Sequence, residues 1–222
     1  VAKDQYGWNP RLDIDHAAGR HSVGGSFYYF RSDHWGQVIF AENVNSTLSP
    51  GHRFYQYFGD KYVGSLYLQE QYALTPKLRM LATAQLRYQK YQFDQVKMGA
   101  FKGYDYDLDW LFFSPRLGFT YNLTPAVNLF ANVAVSSRTP TDAEIYDAND
   151  PSIMPSLEIE DRQVNGSDTT DTFGDPTAES ERVVNYELGA KYRDNKKMFG
   201  LNLFWMDFRN EIIPYGGINP NT

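Results

Sequence analysis

The chain contains no cysteine, which removes a disulfide scaffold, a thiolate metal site and thiol catalysis from consideration. No apolar run approaches the roughly 18 residues of a membrane-spanning helix. No charged segment followed by an apolar one opens the sequence, so no signal peptide is read at its start. Mean hydropathy is low, at -0.54, and charged residues make up 22% of the 222 positions. Disorder requires few aromatics, and that condition fails, with 17 Tyr, 15 Phe and 4 Trp. A folded chain is expected, whose aromatics lie on strands, helices or a binding surface.

Negative charge is unevenly placed. Between Thr141 and Glu181 stand twelve acidic residues and a single base, Arg162, a balance of -11. The rest of the chain carries +5. A mildly basic body with one acidic insertion gives no reason to expect nucleic acid as a partner. A charge run of this kind is expected to be a solvated, mobile loop. Within it Asn165–Asp171 is rich in oxygen donors but lacks the ligand spacing of a calcium-binding EF-hand loop.

The body alternates with period two, the signature of strands. Leu117, Phe119, Tyr121 and Leu123 oppose Arg116, Gly118, Thr120 and Asn122. The same contrast recurs from Leu78, from Val127 and from Val184. Four hairpins are predicted, with strands at 9–17 and 21–33, 61–73 and 78–93, 112–122 and 127–138, 183–193 and 198–212. Short turns within hairpins alternate with long connections at 34–60, 94–111 and 139–182. The run Tyr72-Ala-Leu-Thr-Pro-Lys-Leu78 echoes Tyr121-Asn-Leu-Thr-Pro-Ala-Val127. The pattern weakens at Glu70, which interrupts an apolar row. It weakens again at Asp207 and Arg209, where either a bulge or a strand running past the membrane fits.

Two arrangements place one apolar and one polar face. A soluble sandwich buries the apolar face in a shared core, whereas an outer-membrane barrel turns it to lipid and lines its lumen with the polar one. Long loops on one side only favour an antiparallel transmembrane β-barrel segment of about eight strands, with short periplasmic turns and long extracellular loops. Tyr72, Tyr121 and Tyr192 each end a strand just before its short turn, the placement expected of a membrane girdle. Strands longer than the ~9–11 residues that span a bilayer suit a barrel projecting above it. Strand one then descends from the long-loop side and the chain ends on that side, so residues 1–222 are expected to be part of one barrel domain, without the barrel ends.

Ser114-Pro-Arg-Leu-Gly-Phe-Thr-Tyr-Asn-Leu-Thr-Pro125, Asn128-Leu-Phe-Ala-Asn132 and Ser137-Arg-Thr-Pro-Thr141 resemble the TonB-dependent outer-membrane receptors. So do Tyr67–Tyr72, Glu179–Tyr192 and Leu203–Ile212, and together these pieces cover about residues 60–215. The resemblance implies a 22-stranded barrel closed by a plug. At the spacing seen here such a barrel takes roughly 600 residues, so plug and barrel ends would lie outside this chain. It also implies a bacterial outer-membrane location, lipid and a bulky solute such as a ferric siderophore or cobalamin as partners, and the TonB complex as a partner only through the missing plug. A non-transport barrel or adhesin and a soluble β-sandwich that binds glycans are the alternatives.

Catalysis finds no motif. His16, His21, His34 and His52 show no metal-ligand spacing, and no nucleophile elbow or phosphate loop occurs. No enzyme activity, metal or cofactor is expected. The candidate ligand-binding residues are Trp35, Tyr55 and Tyr57, with Phe54 and His34 beside them in the first long loop, and Tyr104 and Tyr106, with Trp110, in the second. Exposed rings can stack on a planar chelate or a sugar; packing of the loops on each other is the plainer role. Arg138 ends a lumen-facing row and suits an anionic ligand, or else a loop carboxylate such as Asp142 or Glu144. The acidic loop leans the expectation toward neutral or cationic cargo.

Overall fold

The computed structural model describes residues 1–40, 42, 50–98, 103–148, 153–165 and 168–212; the expected course of Ile213–Thr222 lies outside them. In chain order the elements are β1 (Ala2–Trp8), β2 (Arg11–His16), β3 (Gly19–Gln37), β4 (Arg53–Ala73), β5 (Leu78–Met98), β6 (Asp105–Asn122), β7 (Val127–Arg138), α1 (Asp142–Ile145), β8 (Leu157–Asn165), β9 (Asp168–Pro176), β10 (Glu181–Arg193) and β11 (Met198–Arg209). All strands but β8 and β9 form one antiparallel sheet, in the order β1-β3-β4-β5-β6-β7-β10-β11, with β2 also paired to β3. Because β1 and β2 lie end to end along β3, the sheet has the width of eight strands. It is open, with β1 and β2 at one edge and β11 at the other.

The four expected hairpins form, and three of their turns have a common cause. Thr75 and Thr124 sit where Leu-Thr-Pro recurs, and each Oγ1 accepts two amide hydrogens, from Lys77 and Leu78 and from Ala126 and Val127. The proline that follows presets φ for the turn. Asp194 does the same work in the last hairpin, accepting from the amides of Lys196 and Lys197 at 2.7 Å each.

Three boundaries differ from expectation. The strand expected at 9–17 is β2, and a further strand, β1, precedes it, the two separated at Asn9–Pro10, where proline has no N–H for the ladder. The last strand needs no bulge, because its register with β10 runs unbroken from Arg182↔Arg209 to Arg193↔Met198. The long connections expected at 34–60 and 94–111 are shorter, since β3 to β6 continue well past the expected ends, whereas the one expected at 139–182 keeps nearly its length and carries α1, β8 and β9. In β6 the reason is visible. Leu111, Phe113 and Leu117 share a face with Asp105, Asp107 and Asp109, while Tyr106, Leu108 and Trp110 share the other with Arg116 and Thr120. Alternation persists, but its polarity inverts near residue 111. Apolar side chains move to the opposite face, and a search for one continuous apolar row stops there.

The two faces of the sheet have different fates. The apolar face is uncovered along its length; Leu66 is 71% exposed and Trp205 73%. No second layer packs on it among the described residues, so the sandwich arrangement is not adopted. The buried apolar residues instead gather at the long-loop end of the polar face. There Tyr91, Phe93, Tyr106 and Leu108 meet Ile145, Tyr146, Ala148, Leu157 and Phe173.

Candidate functional site on the polar face

That cluster corrects the expectation of a mobile acidic loop. Residues from Thr141 onward form α1 and the β8–β9 hairpin, a flap folded onto the sheet. Among its described acids Asp147, Glu158, Glu160, Asp161 and Asp175 are exposed, while Ile145 (2% exposed), Tyr146, Leu157 and Phe173 are buried. The wall beneath presents the inverted stretches of β5 and β6. Phe93 stacks on Tyr106 with centroids 4.9 Å apart; Tyr146 meets the edge of Phe93 at 5.5 Å and Phe173 that of Tyr104 at 5.4 Å. Burial pushes the Tyr91 and Tyr106 hydroxyls far above their usual range, so both stay neutral and add no charge to the wall.

A buried amide knits flap to wall. Gln95 Nε2 donates to the Ala148 carbonyl at 3.2 Å, and its Oε1 accepts from the Tyr146 hydroxyl at 2.9 Å and the Tyr104 amide at 3.4 Å. Gly103 permits this approach, since a Cβ there would lie 1.8 Å from the Gln95 carbonyl oxygen.

Below the flap the wall turns cationic. Arg138 Nε and Nη2 bind the two carboxylate oxygens of Glu181 at 2.6 and 2.8 Å, and Nη1 reaches Glu144 at 3.0 Å. Glu144 also closes the capping box of α1, accepting the Thr141 amide at 2.6 Å. One carboxylate therefore starts the helix and ties it to the wall. Arg138 holds both Glu144 and Glu181 below the usual carboxylate range, helped by the Thr141 amide at Glu144 and the Ile212 amide at Glu181. The two glutamates in turn push the Arg138 guanidinium up. Lys61 binds Asp142 at 2.5 Å and lies 4.8 Å from the Tyr91 centroid. Arg87 donates to the Ser137 carbonyl at 2.8 Å, with its guanidinium 5.0 Å from the Phe112 centroid. These groups, with Gln89 and Thr139, line a basin of about 500 Å³. Its three cations face Asp142, Glu144 and Glu181, so the basin is close to neutral. A larger concavity of about 900 Å³ lies nearer the short turns, lined by Arg20, Arg79, Arg116, Asn132 and Glu187.

The expected site residues are thus distributed over two places. Trp35, Tyr55, Tyr57 and Tyr106 stand on strands rather than in loops, and Tyr104 directly precedes β6. Tyr57, Tyr104 and Tyr106 join the aromatic bed; Tyr106 is 6% exposed, with Phe173 set against its ring. Tyr57 links this bed to His34 at 4.8 Å and to Tyr55 at 6.1 Å, and Trp35 lies under the Arg53 guanidinium at 4.9 Å. Arg138 belongs to the basin and has both Glu144 and Glu181, whereas Asp142 goes to Lys61. Lys61, Arg87 and Gln95 carry no signal in the sequence, because the Asp142, Ser137, Tyr146 and Ala148 groups they bind lie 50 or more residues away.

On the apolar face, Tyr72, Tyr121 and Tyr192 lie at the short-turn end, as expected. A second ring row lies above them: Tyr6 opposes Tyr29, which opposes Tyr62. Tyr62 is in turn beside Lys90, and Lys90 beside Asp109. From Tyr72 to Tyr62 is ten residues, which at barrel tilt is about 25 Å of height. Lys90 and Asp109 thus continue this row with charge, and the outward positions above it are charged at Asp4, Arg31 and Asp60.

A family model described as TonB dependent receptor-like, beta-barrel matches residues 2–222. Among solved structures the chain is similar to the ferric-catecholate import receptor Fiu of E. coli K12 in its closed form, with TM-score 0.59 and 16% identity over 94% of this chain and 31% of that one. It is similar to the ferric yersiniabactin uptake receptor FyuA of Yersinia pestis, with TM-score 0.55 and 14% identity over 93% and 28%. It is also similar to the copper transporter OprC, with TM-score 0.57 and 10% identity over 92% and 29%. The chain spans less than a third of the length of each. No curated protein sequence matches it.

Proposed function

The chain belongs to the TonB-dependent receptor-like β-barrel family, and from that premise we propose that it forms part of the wall and mouth of a bacterial outer-membrane receptor. The receptor imports a bulky solute such as a ferric siderophore or cobalamin, energised by the TonB complex acting on a plug outside this chain. One observation carries the reading: an uncovered apolar face about 25 Å tall lies between two tyrosine rows, with charge beginning directly above. Such a band matches the lipid-facing belt of a barrel, and Tyr72, Tyr121 and Tyr192 are its periplasmic girdle. The polar face then lines the lumen, and the flap lies over the mouth.

Trp35, Tyr55, Tyr57, Tyr104, Tyr106 and Arg138 are proposed to meet cargo. In the flap-down arrangement Tyr106 is covered, so cargo reaches it only when the flap lifts. Lys61 and Arg138 of the basin are already met by flap and wall acids. An entering anion exchanges with Asp142 and Glu144 rather than being repelled by them, which removes the earlier lean toward neutral or cationic cargo.

The intact receptor tests this by calorimetry against ferric catecholates, ferric hydroxamates and cobalamin, with uptake followed in cells with and without TonB. One cargo is expected to bind at micromolar concentration or tighter and to need TonB for entry. Arg138→Ala should weaken that binding by about tenfold or more, the weight of a charge-assisted hydrogen bond. Failure of the whole panel to bind, or uptake independent of TonB, would contradict the proposal.

A further inference from the structure

The apolar face carries a polar knot at the short-turn end, across the sheet from the candidate cargo site. Glu70 stands in the outward row of β4 between Leu68 and Tyr72, the position where apolar alternation failed. The β3–β4 register sets His21 opposite it, and β2 ends beside it at His16. His16 Nε2 is 3.0 Å from Glu70 Oε1, and His21 Nδ1 contacts the other carboxylate oxygen. The two imidazoles stack with centroids 4.5 Å apart, and the Tyr72 ring continues the stack at 5.9 Å from His16. One donor atom from each of the three residues lies within 4.8 Å of the others.

A carboxylate among apolar neighbours needs a positive partner. The arginines nearest by register serve the other face: Arg20 is bound to Asp15 at 2.6 Å, and Arg79 lines the lumen-side concavity. The two histidines are the groups that meet Glu70. Two imidazole nitrogens and one carboxylate oxygen form the donor set of borderline divalent first-row metals, and three protein ligands leave a position for water. No local spacing announces the set, because its ligands come from three strands and Glu70 lies 54 residues from His16.

We propose that His16, His21 and Glu70 form a zinc-class site on the outer rim of the barrel wall, at the level of the periplasmic girdle. Each neutral imidazole gives a nitrogen lone pair and Glu70 its negative charge, so the ion supplies the missing positive charge and ties β2 to β3 and β4. That staple falls on the shortest strand of the main sheet, the six-residue edge strand β2. The Ala18 amide donates to His16 Nδ1 at 3.3 Å. Coordination through Nε2 moves the ring proton to Nδ1 and gives up this long bond, with the Ala17–Ala18 turn as the part that adjusts. The site faces away from the lumen and does not depend on the identity of the cargo.

The intact receptor, stripped with chelator and held in detergent, is titrated with zinc chloride alongside His16→Ala/His21→Ala and Glu70→Gln. Heat-modifiable migration confirms that each variant is folded. The unmodified receptor should bind one zinc equivalent that the double variant lacks, and Glu70→Gln should weaken it by roughly tenfold or more. Superimposed titrations for the unmodified and variant receptors would overturn the site and leave Glu70 as the centre of a hydrogen-bonded triad. Should the double variant fail to fold, paramagnetic resonance of one copper(II) equivalent on unmodified and Glu70→Gln receptors decides. A two-nitrogen signal altered by Glu70→Gln is expected; an identical signal in both overturns the proposal.

Discussion

Arg138 shows how one side chain couples a helix start to a barrel wall. Its two glutamate partners titrate below the ordinary carboxylate value, so their contribution to holding the flap is complete above that value and is lost as pH falls through the lowered folded-state values. Flap protection should therefore be constant near neutrality and decline below about pH 4. Hydrogen exchange at Asp142–Tyr146 read across that range checks it; release already at pH 6 would contradict it. Arg138 is two-fifths exposed, so water screens each pair, and Glu144→Gln should loosen the flap without unfolding the sheet. The turns make an independent residue-scale prediction. Thr75→Ala or Thr124→Ala removes an acceptor for two amides and should destabilise the barrel by about 1 kcal/mol in denaturant unfolding. Of the residues that carry these arrangements, Thr75 and Thr124 were legible in sequence as a repeated Leu-Thr-Pro. Arg138 was legible as the end of a row with acids close by, and Glu144 was foreseen among its partners. Lys61, Arg87 and Gln95 were not, because partners such as Asp142, Ser137 and Ala148, 50 or more residues away, leave no local pattern.

The strands were readable wherever one face meets one kind of surroundings. Apolar alternation along β7 and β10 reproduces their full extent to within two residues. It fell short on β3, β4, β5 and β6 because these strands pass through two environments, and the face that is apolar below the charged row becomes the charged face above it. Asp105-Tyr-Asp-Leu-Asp-Trp110 alternates perfectly, in the inverted sense, and so read as loop. The flap was hidden by composition: twelve acids dominate its charge, while a handful of apolar side chains decides its structure. Burying an Ile, Leu or Phe side chain contributes about 1.5–3 kcal/mol, enough for these few to hold the segment down. Phe173→Ala or Ile145→Ala should weaken flap docking by about 2–4 kcal/mol. Limited proteolysis should then cut within residues 141–181 while the strands stay protected; cleavage unchanged from the unmodified receptor would contradict the packing described.

For the molecule as a whole, the polar mean hydropathy and the many aromatics have one origin. Each strand gives half its side chains to an apolar surface and half to a polar one, so the average conceals a membrane wall. The open edges at β1, β2 and β11 carry unpaired ladder groups, in keeping with a chain that spans under a third of its structural neighbours. Face assignment predicts opposite tolerances for neighbouring strands. Leu117→Arg, outward near mid-band, should destabilise the folded receptor by about 2–4 kcal/mol, while the inward Gln85→Arg should stay within about 1 kcal/mol. The most direct test of the central claim labels residues 111–121 of β6 one at a time with nitroxides, in the intact receptor reconstituted in lipid vesicles. Collisions with oxygen, which concentrates in lipid, should peak at odd positions, and collisions with a water-soluble nickel chelate at even ones. Absence of alternation, or oxygen peaks at the even positions, would contradict a lipid-facing wall.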